Sequence, residues 1–405
     1  MAEKRRKNSF LFAEGGFDIP FLLIVLALLT IGLIMVFSSS YTYCYYNKGD
    51  SLHYLKRQLA FAVVGVIVML LASRLNYKIF KVFAKPVLSV SFILLVVVLL
   101  VEPPAGYENF HRWLSVGPIN LQPSEVAKFA IILFFAHHMS EHYRAINSDQ
   151  LSNASFAQGF NQNPGGIKIY ERHVCLALYI AILGATCFLV YLENHVSGTL
   201  LIAALGVMML WLAGYDYKAF VIFGIIGIVL VLLVVTKPDI LPEHAQPRIS
   251  AWLNKDFDPR GARWQTNNAL YAIGSGGIFG VGLGNSQQKQ LYVSEPQNDF
   301  IFSILCEELG LIGAFAIIGL FIALVYRGFL IGIRSRDKFA ALLAMGLSFQ
   351  VGLQAALNIC VVTDILPNTG ISLPFFSYGG TALLMLLGEM GIVLAISRNA
   401  KIKKV

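Results

Sequence analysis

The chain has 405 residues, of which 57% are hydrophobic and only 13% charged, about half the ~25% charged share of soluble domains. That balance excludes a water-soluble globular protein, because the polar residues are too few to cover its surface. The net charge of +8 does not indicate nucleic acid, since the basic residues are distributed between apolar runs, and the five scattered cysteines show neither CxxC spacing nor a disulfide framework.

A bilayer core about 30 Å thick asks for roughly 20 apolar residues per helix. Ten runs approach that length: 18–38, 58–73, 80–101, 122–138, 173–192, 196–214, 219–236, 300–325, 338–362 and 375–397. They are too long and too uniformly apolar for barrel strands. The expected fold is therefore an all-α polytopic membrane protein forming a single domain over 1–405. The first run follows a basic start but is too long for a signal peptide and lacks a small-residue cleavage site, so it reads as a retained helix. Lys4, Arg5, Arg6 and Lys7 place the N-terminus in the cytoplasm under the positive-inside rule. Ten crossings then bring 74–81, 139–172, Lys218, 327–338 and 398–404 to the same side, and each is basic. Both termini are expected to be cytoplasmic. Lys56, Arg57 and Arg112 fall on the outer side, where long side chains snorkel or meet an anionic ligand.

Between the seventh and eighth runs lies an outer loop, 237–299, far longer than ordinary connections, so it is functional or disordered. Its Trp252 and Trp264, its apolar residues and the glycine-rich stretch 274–284 favour an ordered loop. The outer loops 102–121 and 363–374 carry Trp113 and several prolines, which predicts ordered re-entrant or interfacial pieces. The polar 139–172 segment is expected to be mobile. No internal repeat is evident, which weighs against a transporter of inverted halves.

Charged residues inside these runs are the candidates for chemistry, because a charge at membrane depth is costly. Glu125 and Lys128 are three residues apart on one helical face and neutralise each other; they either serve a site or settle the helix near the interface. Asp299 stands where the long loop enters the membrane and reads either as a helix cap or as a base at a pocket mouth. Glu307 and Glu308 lie about 12 Å deeper, and at least one needs a cationic partner, for which Lys128 is a candidate. Arg248, Arg260, Arg263 and Lys289, with Gln265 nearby, are ordinary solvated residues taken singly; as a group beside Asp299 they suit the phosphate oxygens of an anionic lipid head. His137 and His138 read as interfacial rather than metal-binding. The stretch 358–382, NICVVTDILPNTGISLPFFSYGGTA, breaks helical pattern and must line a cavity or pack within protein.

Together these residues resemble the SEDS family (shape, elongation, division and sporulation), whose members include FtsW, RodA and SpoVE. The resemblance runs through Asp18 and 32–39, Arg57-Gln58, Arg112-Trp113 with QPSEVAK, Arg248, 272–284, Asp299-Phe300-Ile301-Phe302 with EELG, and the stretch 358–382. MVFSSS and QNDFIF resemble the FtsW/SpoVE branch more than RodA. It implies a peptidoglycan glycosyltransferase that polymerises lipid II on the outer face of the bacterial cytoplasmic membrane, releasing undecaprenyl pyrophosphate with inversion at the anomeric carbon. Asp299 would be the catalytic acidic residue, acting as the base, Arg248 a phosphate contact, and Arg112, Glu125, Lys128, Gln265 and Lys289 substrate-binding or positioning residues. Implied partners are the growing glycan strand, a class B penicillin-binding protein and divisome or elongasome proteins, with no nucleic acid. No cofactor is required by the pattern, although a divalent cation, Mg or Mn, would suit the pyrophosphate. Gln297-Asn298 stand where the family commonly has His-Thr, Glu295 is kept, and Asp364 stands where Gly is usual. A flippase of lipid-linked precursors, sensitive at the bilayer midplane rather than at Asp299, is the rival reading; a scaffold for division partners is a third.

Overall fold

A computed structural model describes residues 15–102, 111–117, 119–147, 165–215, parts of 220–237, and 245–400. In chain order these form α1 (Ile19–Lys48), α2 (His53–Arg74), α3 (Ile79–Leu100), β1 (Leu114–Val116), β2 (Ile119–Leu121), α4 (Pro123–Glu141), α5 (Tyr143–Ile146), α6 (Gly165–Leu192), α7 (Val196–Leu212), α8 (Gln246–Leu253), α9 (Trp264–Gly276), α10 (Ile301–Ile333), α11 (Lys338–Val362) and α12 (Gly380–Ser397). Among the described residues, seven helices are long and apolar enough to cross a membrane, and α7 is apolar but shorter. The charged α4 adds another 19-residue helix. Every expected span except 219–236 thus coincides with one of these helices. Much of 219–236, together with Lys4–Lys7, Lys218, 148–164 and Lys401–Lys404, lies outside the described residues.

Several boundaries differ from expectation: α2 begins at His53, and α6 begins at Gly165, inside the 139–172 stretch expected to be mobile, which also carries the short α5. The first helix runs on to Lys48 because its polar stretch, with Ser38, Ser39, Ser40 and Thr42, is buried against the bundle. The helix α10 extends to Ile333. The last helix starts at Gly380, since the backbone before it is spent on side-chain contacts described below.

Local chemistry sets the helix ends. Asp18 caps α1, its carboxylate accepting from the Phe21 amide at 2.9 Å, and Gly49 closes that helix at φ 69°, a left-handed conformation that glycine adopts freely. The Asp18 carboxylate is also gripped by Arg327 of α10 at 2.9 Å, while its amide donates to Ser397 Oγ of α12 at 2.9 Å. These contacts gather the N-terminal end of α1 and the C-terminal parts of α10 and α12 at one end of the bundle. Asp299, which precedes α10, therefore lies at the opposite end. Helices α2 and α12 approach closely where Gly65 meets Leu387 and Gly391 meets the Met69 backbone, the small-residue packing that lets membrane helices exploit dispersion.

The long loop is ordered over its described residues, carrying α8 and α9. After α9 the chain turns back into the bundle and pairs with a break in α10. Gly310 there has φ 68° and ψ −169°, a conformation closed to residues with a side chain. The backbone groups released by the break are satisfied by the incoming segment: Val281 N donates to Glu307 O at 2.9 Å, Gly282 N to Glu308 O at 3.0 Å, Leu311 N to Gly277 O at 3.0 Å, and Ile312 N to Ile278 O at 3.2 Å. Non-helical backbone survives inside a membrane protein only when protein groups satisfy it in this way. The 102–121 loop contains a feature unforeseen in the sequence, a two-stranded antiparallel hairpin pairing Leu114 with Leu121, joined to the start of α12 by Thr381 Oγ1 donating to Asn120 O at 2.7 Å.

Candidate active site

The segment 295–299 is held by an unusual density of main-chain contacts. Asn358 of α11, fully buried, donates to the Asp299 carbonyl at 2.7 Å and to the Ile371 carbonyl at 2.6 Å. Ser377 Oγ donates to the Asn298 carbonyl at 2.8 Å, and the Tyr378 amide to the Gln297 carbonyl at 2.8 Å. Buried Gln58 of α2 in turn donates to Ser377 O at 3.4 Å and accepts from Gly379 N at 3.2 Å. The proline- and glycine-rich stretch of the sequence is thus the cradle that fixes the position of Asp299. Gly370, at φ 72°, brings its backbone alongside the carboxylate, where a side chain would sit about 3.7 Å from Oδ2.

Asp299 is not the cap of α10: that position is Phe300, and no side chain caps the helix. The capping explanation for Asp299 therefore falls. Its carboxyl is pushed up to about 6 chiefly by burial, with its own backbone N–H and the nearby Arg248 opposing the rise and Glu295 adding to it. Arg248 projects from α8, which Pro247 starts. Arg112 lies within electrostatic reach of Arg248; burial foremost, then Arg248, lowers it to about 10, with Glu193 opposing, so it remains cationic at neutral pH. Arg248 thus stands within electrostatic reach of a partly desolvated carboxyl, with Arg112 on its far side, donating to the Asn194 carbonyl. Beside them, Tyr43, Tyr54 and Tyr378 form a ladder with ring centroids 6.3 and 4.5 Å apart, and the Glu295 charge reaches Tyr43 and Tyr54. Glu295 accepts from Asn298 Nδ2 at 2.7 Å.

The other candidates separate into distinct roles. Gln265 is spent within the protein, donating to Ser294 O at 3.0 Å and accepting from Asn368 Nδ2 at 3.3 Å. Arg263 pins α8, donating to Ala251 O at 2.6 Å and to Asp364 Oδ2 at 2.6 Å, whereas Arg260 is exposed. Asp364 adopts φ 60°, which explains both the usual glycine there and, through Arg263, what the acid gains. Glu125 and Lys128 form a buried ion pair at 2.8 Å, and Lys128 continues to Gln354 Oε1 at 2.9 Å. Lys128 is therefore not the partner of Glu307 or Glu308, contrary to the sequence expectation. That partner is Lys289, whose ammonium reaches Glu308 Oε1 at 2.7 Å, Gly284 O at 2.7 Å and Ser38 Oγ at 3.2 Å. Glu307 is satisfied by Ser286 Oγ and by Gln287 N at 2.9 Å. All three Lys289 donors are used, so its charge locks the returning segment rather than standing beside Asp299. It does floor a groove of about 590 Å³ lined by Phe37, Tyr41, Tyr45 and Leu283, of whose lining Asp299 is not part.

Three polar residues went unflagged in the sequence. Glu193, fully buried between α6 and α7, has no hydrogen bond to either oxygen, and burial raises it to about 8 with Arg112 opposing. His195 Nδ1 sits 3.3 Å from Ser124 Oγ. Glu389 is buried in α12 and accepts from Gln350 at 3.0 Å; as a lone acid in an apolar run it carried the signal that marks intramembrane polar sites.

A helical membrane bundle that cradles a buried acid within reach of Arg248 at one end defines a membrane protein built around a site where a long loop enters the bundle. The family model described as cell cycle protein, covering FtsW, RodA and SpoVE, matches residues 20–402, and the chain belongs to that family. It is 37% identical over 385 residues to the stage V sporulation protein E of Bacillus subtilis, covering 95% of this chain and 98% of that protein. It is 35% identical to a probable peptidoglycan glycosyltransferase FtsW of Trichlorobacter lovleyi, covering 96% of each. Among solved structures, a chain of a peptidoglycan synthase complex described as coordinating polymerization and crosslinking has the same fold, with a TM-score of 0.71 at 21% identity over 94% of this chain and 98% of that one. The Thermus thermophilus rod shape determining protein RodA has a TM-score of 0.66 at 21% identity over 96% and 98%.

Proposed function

We propose that this protein is a peptidoglycan glycosyltransferase that polymerises lipid II on the outer face of the bacterial cytoplasmic membrane, with both termini in the cytoplasm. The observation that carries the reading is the Asp299 carboxyl, partly desolvated, clamped through its own backbone, and within electrostatic reach of Arg248, next to which Arg112 adds a second cation. The printed name of the FtsW relative favours an enzyme over a flippase, and the two relatives named fall in the FtsW/SpoVE branch.

In the reaction, the 4-hydroxyl oxygen of the acceptor sugar attacks the anomeric carbon of the lipid-linked donor. Asp299 accepts the hydroxyl proton as the new C–O bond forms. The bond from that carbon to the pyrophosphate breaks with its electron pair, and undecaprenyl pyrophosphate leaves with inversion at carbon. Arg248 and Arg112 offset the charge on the departing group, an electrostatic contribution that grows toward the transition state. Arginine forks match phosphate oxygens in geometry. Glu125 and Lys128 act as structural support beneath this site. A divalent cation suits the same donors, since Asp299 and Glu295 are hard oxygen ligands within electrostatic reach of each other; when bound it would share in neutralising the pyrophosphate. A class B penicillin-binding protein is the partner we assign, on the strength of the complex that contains a chain of this fold.

The test is glycan polymerisation from lipid II by purified wild type and Asp299→Asn, each with the partner transpeptidase. Loss of a general base predicts a rate lower by about 10²–10⁴. Undiminished polymer from a folded variant would overturn the assignment.

A further inference from the structure

At the end of the bundle away from Asp299, the sequence reading left His137 and His138 as interfacial residues. The folded chain brings a different set together. His138 in the last turn of α4, His142 just beyond it and Cys175 on α6 place one ligand atom each within 4.8 Å of one another. The two imidazoles, four residues apart, are stacked with centroids 4.2 Å apart and planes at 18°. Cys175 and Tyr179 are also four residues apart and so share a face of α6.

The hydrogen bonds around the cluster favour metal ligation. His142 Nδ1 is 3.0 Å from the His138 carbonyl. A carbonyl only accepts, so Nδ1 carries the proton and Nε2 bears the lone pair. His138 Nδ1 is 2.7 Å from the hydroxyl of the fully buried Tyr179, a group able to accept from Nδ1–H in the tautomer that leaves Nε2 free to ligate a metal. Ligating histidines are held in this manner, their second nitrogen bonded to a protein oxygen that fixes ring and tautomer. Cys175 is buried and engaged in no disulfide, and two imidazoles with one thiolate form a set of borderline softness.

We propose that His138, His142 and Cys175 form a zinc site joining α4 to α6, with water completing a tetrahedron. Bond lengths of about 2.0–2.3 Å require the three ligand atoms to draw together modestly, within the reach of side-chain rotation. Binding displaces the Cys175 thiol proton to solvent and forms the S–Zn bond, with no change of oxidation state. The site lies near the end of α4 far from the loop that precedes that helix on the Asp299 side, and the 19 residues of α4 span about 28 Å, so it is separate from the proposed catalytic chemistry.

The full-length protein, purified in detergent without a histidine tag, is titrated with Zn²⁺ and separately loaded with Co²⁺ as a spectroscopic probe. One equivalent of Zn²⁺ should bind, and the Co²⁺ form should show thiolate-to-metal charge-transfer absorption. Cys175→Ser, nearly isosteric, should abolish that band and weaken Zn²⁺ binding by at least about 10-fold, the cost already seen for lesser changes around a metal. His142→Ala should weaken it comparably. His137→Ala and Cys187→Ser, which alter neighbours outside the set, should bind as wild type. Failure of wild type to bind Zn²⁺, or a folded Cys175→Ser that keeps the band or wild-type affinity, overturns the site.

Discussion

Replacing Lys289 by Met removes one member of the most enclosed ion pair among the described residues. The two side chains are 4% and 0% exposed at a separation of 2.7 Å. Glu308 would keep only the Ser38 hydroxyl, at 2.7 Å, to offset a carboxylate withdrawn from water, and the Gly284 carbonyl would lose its donor. Stranding one charge of a buried pair costs about 3–5 kcal/mol, or two to nearly four decades in the folded population. The double substitution Lys289→Met with Glu308→Leu removes both charges and should recover most of that loss, because an apolar pair of similar volume is often neutral or better. Thermal unfolding in detergent of wild type, both single variants and the double variant completes the cycle. Polymerisation should fall in the single variant in proportion to the loss of folded protein, since the pair anchors 277–291 against the break in α10. A Lys289→Met variant as stable as wild type, or a double variant as unstable as the sum of its singles, would refute the claim that this pair locks the segment.

Three further outcomes are expected. Because Asp299 must be ionised to accept a proton and burial raises it to about 6, polymerisation should rise with pH through that value and fall about tenfold between pH 7 and pH 5; a flat profile over this range counts against the base. Glu193, raised to about 8 from its ordinary 4.5, favours the folded state fully below about 4.5, and that contribution is lost as pH climbs through about 8, so Glu193→Gln should flatten the decline of melting temperature across that window. Asp364→Gly loses the Arg263 pair but relieves a left-handed backbone worth about 1 kcal/mol, whereas Asp364→Ala loses the pair and keeps the strain; melting temperatures should rank wild type, then Gly, then Ala.

The membrane class and most helices were legible in the sequence because both rest on local composition. Lipid offers the backbone no hydrogen bonds, so an apolar run of sufficient length has few alternatives to a helix. Asp299, Arg248 and the breaks around 358–382 were equally visible, as costly or helix-breaking residues in an apolar chain. Pairings were not. Whether Glu308 meets Lys128 or Lys289 depends on which helix faces which, and the answer came from Gly310, whose φ of 68° opens α10 to the returning glycine-rich segment. The same holds for Glu193 with Arg112, for Arg263 with Asp364, and for the His138, His142 and Cys175 cluster. Hydropathy fixes which residues enter the bilayer, since transfer free energy is summed along the chain, but it is blind to direction around a helix axis. Only packing decides which buried charge is neutralised, and by what.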